Sequence, residues 1–250
     1  SCHCRMISWL PGRVLADAAA APEANHADLW TAVGTAVGSL AAALTSFEHP
    51  AAQREFVWDL RRCGEVIAAH LGDLEPQRRP LLEALVGGYK AALEPLLPQL
   101  RLSVAHNDPN DYNLVVDESG HVGVLDFGDM LWSYRCADAA ICAAYLLLHC
   151  KEGEPLAESL VPFVRSFNAC CPLEEAEAGA LFGLAVLRLC TSVCMSAYQS
   201  RLEPDNEYLL VSAAPAWRVL ERLEAAEGNG QKAAELMRRA CGFEGGGADA

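Results

Sequence analysis

The stretch that decides the fold is His106-Asn107-Asp108-Pro109-Asn110-Asp111-Tyr112-Asn113, followed after a short turn by VGVLDFGD at positions 122–129. Two short apolar segments, at 113–116 and 121–125, flank the turn-like DESG at positions 117–120, and this pattern predicts a β-hairpin. A hairpin of this length brings the start of its first strand beside the end of its second. We therefore expect Asn113 and Asp126 to lie close together, with Asp108 projecting from the preceding loop.

The polar residues of this stretch match the needs of phosphoryl transfer. That reaction requires a group that orients and deprotonates the attacking hydroxyl, together with oxygen ligands for Mg²⁺. Magnesium prefers hard oxygen donors, usually one or two carboxylates plus phosphate and water. Asp108, Asn113 and Asp126 supply such oxygens, and Gly128 permits a sharp turn after the second strand. Each residue alone is also typical of a polar turn in which Asp and Asn cap the loop.

The rest of the chain has mostly helical periodicity. Apolar residues from Leu29 to Phe47 recur every three or four positions, which predicts one face of a helix. Similar patterns predict helices at about 55–70, 78–97, 137–150, 155–169, 173–201, 205–225 and 229–240. Residues 102–105 are a further strand candidate, and Arg5 to Leu10 is strand-like up to the turn signal Pro11-Gly12. The predicted fold class is α+β, mostly α.

Composition narrows the classes of partner and compartment. Of 250 residues, 52% are hydrophobic, and the formal charge is −14, which argues against nucleic acid or an anionic membrane as the main partner. Uninterrupted apolar runs fall short of the roughly 20 residues that cross a bilayer, and the longest, from Ala137 to Cys150, predicts a buried helix. The eleven cysteines are odd in number and lack a regular framework, which favours reduced thiols and a cytoplasmic location.

The polar segment resembles the catalytic and metal loops of the aminoglycoside phosphotransferase and choline kinase family, which is related to protein kinases. The family pattern H-x-D-x-x-x-x-N, a hairpin and a second Asp-containing block are matched here by His106, Asp108, Asn113, Asp126 and Asp129. The resemblance implies the large, C-terminal lobe of a kinase-like fold with a small catalytic β-hairpin. It also implies that Asp108 is the general base, that Asn113 and Asp126 bind Mg²⁺, and that His106 is structural.

Two longer stretches, Asp126 to Leu148 and Arg188 to Trp217, resemble the hydroxylysine kinases within that family. This resemblance implies phosphate transfer from GTP or ATP to the hydroxyl of a small amino alcohol, with 5-hydroxylysine as the expected acceptor. Asp138 resembles the family's buried Asp that braces the catalytic loop, although a helix N-cap explains it equally well. A similar domain also occurs fused to pyridoxal-phosphate-dependent aminotransferases, so a longer protein with such a domain fits the resemblance.

The same resemblance suggests a division of the chain and a set of binding residues. Residues 1–12 are expected to be the last strand of the small lobe and the hinge, 13–240 the large lobe, and 241–250 a tail or linker. Backbone groups near Ser8, Trp9 and Leu10 would then edge the nucleotide base. The candidates for binding a cationic amine are Asp129, Asp111, Tyr134 and Glu207.

Two departures from the family pattern leave alternatives open. Asn107 replaces the Gly usual between the His and the Asp, a change that Asn tolerates because it adopts left-handed conformations readily. A Gly-rich loop and a Lys of the V-A-I-K type do not precede the hinge, so the small lobe is expected to be largely missing from this chain. A kinase for choline, ethanolamine, homoserine, methylthioribose or an aminoglycoside stays open, as do an inactive one-lobed binding module and, more remotely, a metal-dependent hydrolase.

Overall fold

The computed structural model describes residues 8–206, 211–225 and 229–243. The helices in these ranges are α1 Leu15–Ala20, α2 His26–Leu44, α3 Cys63–His70, α4 Arg79–Leu93, α5 Ala137–Leu147, α6 Leu156–Ser159, α7 Val161–Cys170, α8 Glu175–Leu202, α9 Ala213–Ala225 and α10 Asn229–Ala240. The strands are β1 Arg13–Val14, β2 Leu102–Ala105, β3 Leu114–Val116, β4 Val122–Val124 and β5 Leu131–Tyr134. The fold is therefore mostly helical with small sheets, as predicted.

Helix α8 forms the centre of the helical body. It packs against α3, α4, α5, α9 and α10, and its residues from Glu177 to Ser196 are buried. By length and apolar composition alone, helices α2 and α8 could each span a membrane. This is weak evidence for a membrane span, because the apolar stretch of α8 is wholly buried in the fold, as in the core helix of a globular protein. The expectation that the chain binds no membrane stays a prediction.

Helices α2 and α7 pack at short distance because two glycines in α2 carry no side chain. A Cβ at Gly34 would collide with the carbonyl oxygen of Phe163, and one at Gly38 would lie 2.8 Å from that of Phe167. The separation of packed helices depends on the side chains at the contact. Glycine at both positions therefore lets the two backbones approach.

Two small antiparallel sheets carry the polar segment. In the first, β3 pairs with β1 and β4, with Leu114 opposite Val124 and Val116 opposite Val122. The Asp117 carboxylate closes the β3–β4 turn by accepting the backbone N–H groups of Ser119 and His121. The predicted hairpin is thus confirmed. In the second sheet, β2 pairs antiparallel with β5, with Ala105 opposite Leu131, so the loop after β2 lies at the same end of the sheet as the segment that precedes β5.

Several predicted elements differ from the structure. The helix predicted from residue 55 begins at Cys63, because the Asp59 carboxylate accepts the Arg61 N–H and the Ser133 hydroxyl and holds a 3₁₀ turn instead. The helix predicted over 155–169 is divided into α6 and α7, the second of which opens with a proline at its first turn. Helix α9 begins at Ala213 rather than at 205, and residues 207–210 lie outside the described ranges.

The predicted N-terminal strand is also wrong for its described part. Residues 8–10 have no strand conformation, while residues 5–7 lie outside the described ranges. The first strand is β1, which pairs with β3. Gly12 permits this approach, since a Cβ there would collide with the carbonyl oxygen of Val116. The proposed division of the chain at residues 12 and 240 stays a prediction.

Candidate active site

Asp138 fixes the loop that follows β2. Its two carboxylate oxygens accept the backbone N–H groups of His106, at 3.0 Å, and Asn107, at 2.8 Å. Asp138 lies in the first turn of α5 and is 1% exposed. Burial raises its pKa, although the two N–H donors oppose that rise. The N-cap of α5 is Cys136, so Asp138 contacts another segment of the chain and does not cap its own helix.

His106 connects this loop to the strand that delivers Asp126. Its Nε2 lies 2.9 Å from the carbonyl oxygen of Leu125, and its Nδ1 lies 3.3 Å from the backbone nitrogen of Asp108. One neutral tautomer, with the proton on Nε2, satisfies both contacts because Nδ1 then accepts. The Phe127 ring meets the imidazole edge-on, with centroids 4.9 Å apart. His106 thus holds the two polar segments together.

Two residues beside these contacts have left-handed backbones. Asn107 has φ 69° and Asp126 has φ 56°. Such conformations are uncommon for residues other than glycine, and they concentrate at functional sites. The side-chain amide of Asn107 is fully buried, and both of its polar atoms lack a hydrogen-bond partner within the described ranges. Backbone strain therefore lies directly before Asp108 and, beyond the hairpin, at Asp126.

Asp108 is held by three side-chain donors. Its Oδ2 accepts from Nδ2 of Asn110, at 2.8 Å, and from Nδ2 of Asn113, at 2.9 Å, while its Oδ1 accepts from Arg188 at 2.9 Å. Burial raises the pKa of Asp108, and the charge of Arg188 and the bond from Asn110 oppose that rise. The charge of Asp129 raises the pKa of Asp108 further. The carboxylate is thus fixed in orientation and partly desolvated.

Asn113 lies opposite Leu125 in the backbone ladder, and Asp126 follows Leu125 directly. The N–H of Leu125 donates to the carbonyl oxygen of Asn113 at 2.8 Å, which places Asp126 next to Asn113 at the open end of the hairpin. The Asn113 amide nitrogen is bonded to Asp108, so its amide oxygen is the atom left for a cation. Asp126 is exposed and its Oδ1 accepts the Gly128 N–H at 3.1 Å.

Asn113 and Asp126 suit magnesium better than a metal ion whose ligands all come from the protein. Within the described ranges, groups of three or more His, Cys, Asp or Glu side chains placed to hold a metal are absent. Asn113 and Asp126 offer one amide oxygen and one carboxylate, which are hard donors. Magnesium uses few protein ligands of this kind and completes its coordination with phosphate and water.

Asp108 opens into a cavity of about 220 Å³. Its walls include Trp58, Asp129, Tyr145, Arg188 and Ser192. Asp129 is partly exposed there, and burial together with the charge of Asp126 raises its pKa. Of the predicted amine-binding residues, Asp129 is thus placed beside Asp108.

The other candidates for the amine are less accessible or lie elsewhere. Asp111 also lines the cavity, but it is 5% exposed and its Oδ2 lies 2.8 Å from Nε2 of His149. Tyr134 lies in β5 opposite Leu102 and lines a separate apolar pocket. Glu207 lies outside the described ranges.

The predicted hinge residues lie near the hairpin. Ser8, Trp9 and Leu10 are exposed, Trp9 to 86%. A Cβ at Gly123 would lie 2.9 Å from Cδ1 of Leu10, so Leu10 lies directly over β4. The expected contact of Ser8, Trp9 and Leu10 with a nucleotide base stays a prediction.

Two arginines at the site were not found from the sequence. Arg188 in α8 pairs with Asp108, and the Arg54 guanidinium donates to the carbonyl oxygen of Gly128 at 2.9 Å. Arg54 is separated from Gly128 by 74 residues, and Arg188 from Asp108 by 80. The sequence does give one indication that Arg188 has a special role, because it is a charged residue within a long apolar helix.

The comparisons with known proteins show the family of the chain. Residues 1–161 match the model of the phosphotransferase enzyme family. The chain belongs to this family. It is 30% identical over 246 residues to hydroxylysine kinase of Mus musculus, a match that covers 92% of this chain and 62% of the relative. It is likewise 30% identical over 230 residues to hydroxylysine kinase of Danio rerio, covering 88% and 62%. The chain thus spans about three fifths of the length of these relatives.

Solved structures of the phosphotransferase family share the fold. A choline/ethanolamine kinase family protein from Mesorhizobium loti superposes with a TM-score of 0.59 at 14% identity, covering 82% of this chain and 65% of the other. An amicoumacin kinase superposes with a TM-score of 0.57 at 17% identity, covering 88% and 64%. At these identities the likeness extends to the fold alone, which is a kinase-like phosphotransferase fold.

Proposed function

We propose that the protein transfers the γ-phosphate of GTP or ATP to the hydroxyl of a small amino alcohol, with 5-hydroxylysine as the favoured acceptor. The observation that carries the proposal is the placement of Asp108. This carboxylate borders the cavity and is oriented by two amides and one guanidinium. Membership of the phosphotransferase family and the likeness to hydroxylysine kinases support the same activity.

Asp108 acts as the base in the proposed mechanism. An acceptor hydroxyl in the cavity donates its hydrogen bond to the carboxylate. The carboxylate takes the proton as the hydroxyl oxygen attacks the γ-phosphorus, the bond from that phosphorus to the bridging oxygen breaks, and the nucleoside diphosphate leaves. The amides of Asn110 and Asn113 keep the carboxylate in one orientation, so that the hydroxyl is aligned before transfer. Asp138 and His106 keep the loop itself in place through its backbone and the Leu125 carbonyl.

Asn113 and Asp126 would hold Mg²⁺ through the amide oxygen and the carboxylate. When bound, the ion neutralises the negative charge of the nucleotide phosphates. The left-handed backbone of Asp126 supports a functional role, because strain of this kind persists where the surrounding structure enforces it. Ser8, Trp9 and Leu10 would edge the nucleotide base.

The size and charge of the cavity favour a small cationic acceptor. Drug-sized ligands occupy clefts of roughly 300–1,000 Å³, whereas this cavity has about 220 Å³. Asp129 supplies a carboxylate for an ammonium group beside the base.

The test is a coupled assay with Mg²⁺ and either GTP or ATP, using a form that includes any segment its gene encodes before Ser1. The panel contains 5-hydroxylysine, choline, ethanolamine, homoserine and one aminoglycoside. We expect the highest kcat/KM with 5-hydroxylysine. A higher kcat/KM for another acceptor would change the proposed substrate but not the proposed reaction. No transfer to any acceptor from either donor would refute the activity.

Magnesium dependence tests the proposed ligands. Substituting residues one shell away from a metal already costs about 10- to 100-fold in metal affinity. We therefore expect Asn113→Ala to raise the half-saturating Mg²⁺ concentration by at least about tenfold and to reduce turnover. Asp126→Ala should abolish transfer at any Mg²⁺ concentration. An unchanged Mg²⁺ titration for Asn113→Ala would exclude Asn113 as a ligand.

A further inference from the structure

One polar stripe runs along the otherwise apolar helix α8. Its members are Arg188, Ser192, Ser196 and Gln199, which are separated by four, four and three positions and all line the cavity beside Asp108. Residues three and four apart lie on one face of a helix. The buried core helix of the fold thus turns its polar face to the proposed acceptor.

Arg188 is the charged member of this stripe, and it is 2% exposed. Its Nη2 donates to Asp108, its Nη1 donates to the carbonyl oxygen of Trp58 at 3.0 Å, and its guanidinium lies 4.6 Å from the centre of the Trp58 ring. Its Nε is buried and has no hydrogen-bond partner within the described ranges. A guanidinium is always charged and carries donors only, and a buried donor without a partner is unfavourable. Arg188 is also among the residues that line the cavity, so the cavity wall carries a buried positive charge for which an anionic ligand group is the matching partner.

The position of the cavity indicates which anion this is. Among the described residues that line it are Asp108 and Asp129, but neither Asn113 nor Asp126. Arg188 donates to Oδ1 of Asp108, whereas the proposed metal ligand Asn113 donates to Oδ2, so the two residues meet different oxygens of the carboxylate and Arg188 borders the space proposed for the acceptor. One guanidinium and the Asp129 carboxylate in the same small cavity match a molecule that carries both a carboxylate and an ammonium group.

Building on the proposed kinase activity, we propose that Arg188 binds the carboxylate of the acceptor, so that the cavity selects amino alcohols that are also amino acids. The planar guanidinium fork suits a carboxylate, and the Trp58 ring and carbonyl fix its plane. Pairing with Asp108 places this anchor next to the base, so that binding of the carboxylate positions the attached chain and its hydroxyl. Choline and ethanolamine lack the group that Arg188 would bind.

The first test uses the unchanged protein and two acceptors. They are 5-hydroxylysine and 1,5-diaminopentan-2-ol, which is the same molecule without its carboxylate. Losing one hydrogen bond to a charged group costs at least about tenfold in binding, so we expect kcat/KM to be at least about tenfold lower for the diamine. Equal kcat/KM values would overturn the carboxylate anchor and leave the kinase proposal intact. No transfer to either acceptor would overturn both.

The second test compares Arg188→Lys with Arg201→Lys. The lysine at 188 keeps a positive charge near Asp108 but removes the Nε donor and the fork. We expect KM for 5-hydroxylysine to rise at least about tenfold, so that the preference over the diamine disappears. Arg201 lies in the same helix, is exposed and pairs with Asp73 outside the cavity, so Arg201→Lys should leave both acceptors unchanged.

An equal fall in kcat for both acceptors in Arg188→Lys, with KM unchanged, would assign Arg188 to the base or the transferring phosphate and contradict the anchor. Circular dichroism and thermal unfolding establish that each variant is folded. If Arg188→Lys does not fold, the comparison of the two acceptors with the unchanged protein still decides the proposal.

Discussion

The catalytic loop and the acceptor cavity meet at Asp108, yet they are assembled in different ways. The loop and hairpin take most of their polar groups from one continuous stretch, residues 106–129, and Asp138, Arg54 and Arg188 contact this stretch from beyond it. The cavity combines residues of this stretch with walls from Trp58, Tyr145 and the polar stripe of α8, which are far apart in the sequence. A contiguous motif keeps its geometry through local strand pairing, whereas the cavity depends on how the helices pack. The two regions should therefore respond differently to substitution.

Asp108 belongs to both regions, and its substitution should have the largest effect. Asp108→Asn keeps the shape of the side chain but removes the base. General bases contribute about 10²- to 10⁴-fold to rate, so we expect kcat to fall within that range while the acceptor still binds. Steady-state kinetics measure the rate and calorimetry measures acceptor binding. Asp17→Asn, an exposed change on α1, is the matched control. Wild-type turnover in Asp108→Asn would refute the role of Asp108 as base.

The difference between a local hairpin and a cavity built by helix packing also explains which features could be predicted from the sequence. The β3–β4 hairpin followed from two apolar segments around Asp117–Gly120, and helix α10 followed from its own periodicity. Arg54 and Arg188 could not be placed, because each reaches the site through a tertiary contact with a residue 74 or 80 positions away. Strand β5 was missed because its strand partner, β2, is distant in the sequence. The helix expected from residue 55 failed because Asp59 is engaged by Ser133, a tertiary contact.

Asp138 joins the loop to the helical body, and its removal should show how far the loop depends on that body. Asp138→Ala leaves the N–H groups of His106 and Asn107 buried without acceptors. Each such group costs about 1–3 kcal/mol, so we expect the free energy of unfolding to fall by about 2–5 kcal/mol in urea titrations. Asp138→Asn keeps one acceptor oxygen and should lose less. If Asp138→Ala unfolds at the same urea concentration as the wild type, the loop is held by other contacts.

Asn107 should have a smaller effect of the opposite sign. Its left-handed backbone and its buried, unpartnered amide both disfavour the folded state. Asn107→Gly removes both costs, but it adds about 0.5–1 kcal/mol of backbone entropy lost on folding. We expect a net stabilisation of about 1–2 kcal/mol, measured by urea unfolding. Asn107→Ala removes the amide but keeps a Cβ at positive φ, so it should be less stable than Asn107→Gly. A destabilised Asn107→Gly would mean that the buried amide has a favourable partner.

The smallest expected effect is a shift in the pH dependence of kcat/KM. Asp108 acts as base only when ionised, so activity should fall as pH drops through its pKa, which burial holds above the ordinary value. The charge of Asp129 raises the pKa of Asp108 further. Asp129→Asn removes that charge and should therefore move the acid limb of the profile to lower pH. Because neighbouring carboxylates titrate as a pair, the shift belongs to the coupled group.

Asp117→Asn provides the control for this shift, since Asp117 closes the far turn of the hairpin and should leave the acid limb in place. A shift of the limb to higher pH in Asp129→Asn would contradict the sign of the interaction. An unmoved limb would mean that the titrating group is not Asp108. In that case the carboxylate that limits activity lies outside the region where loop and cavity meet, and a residue other than Asp108 would be the base shared by the two regions.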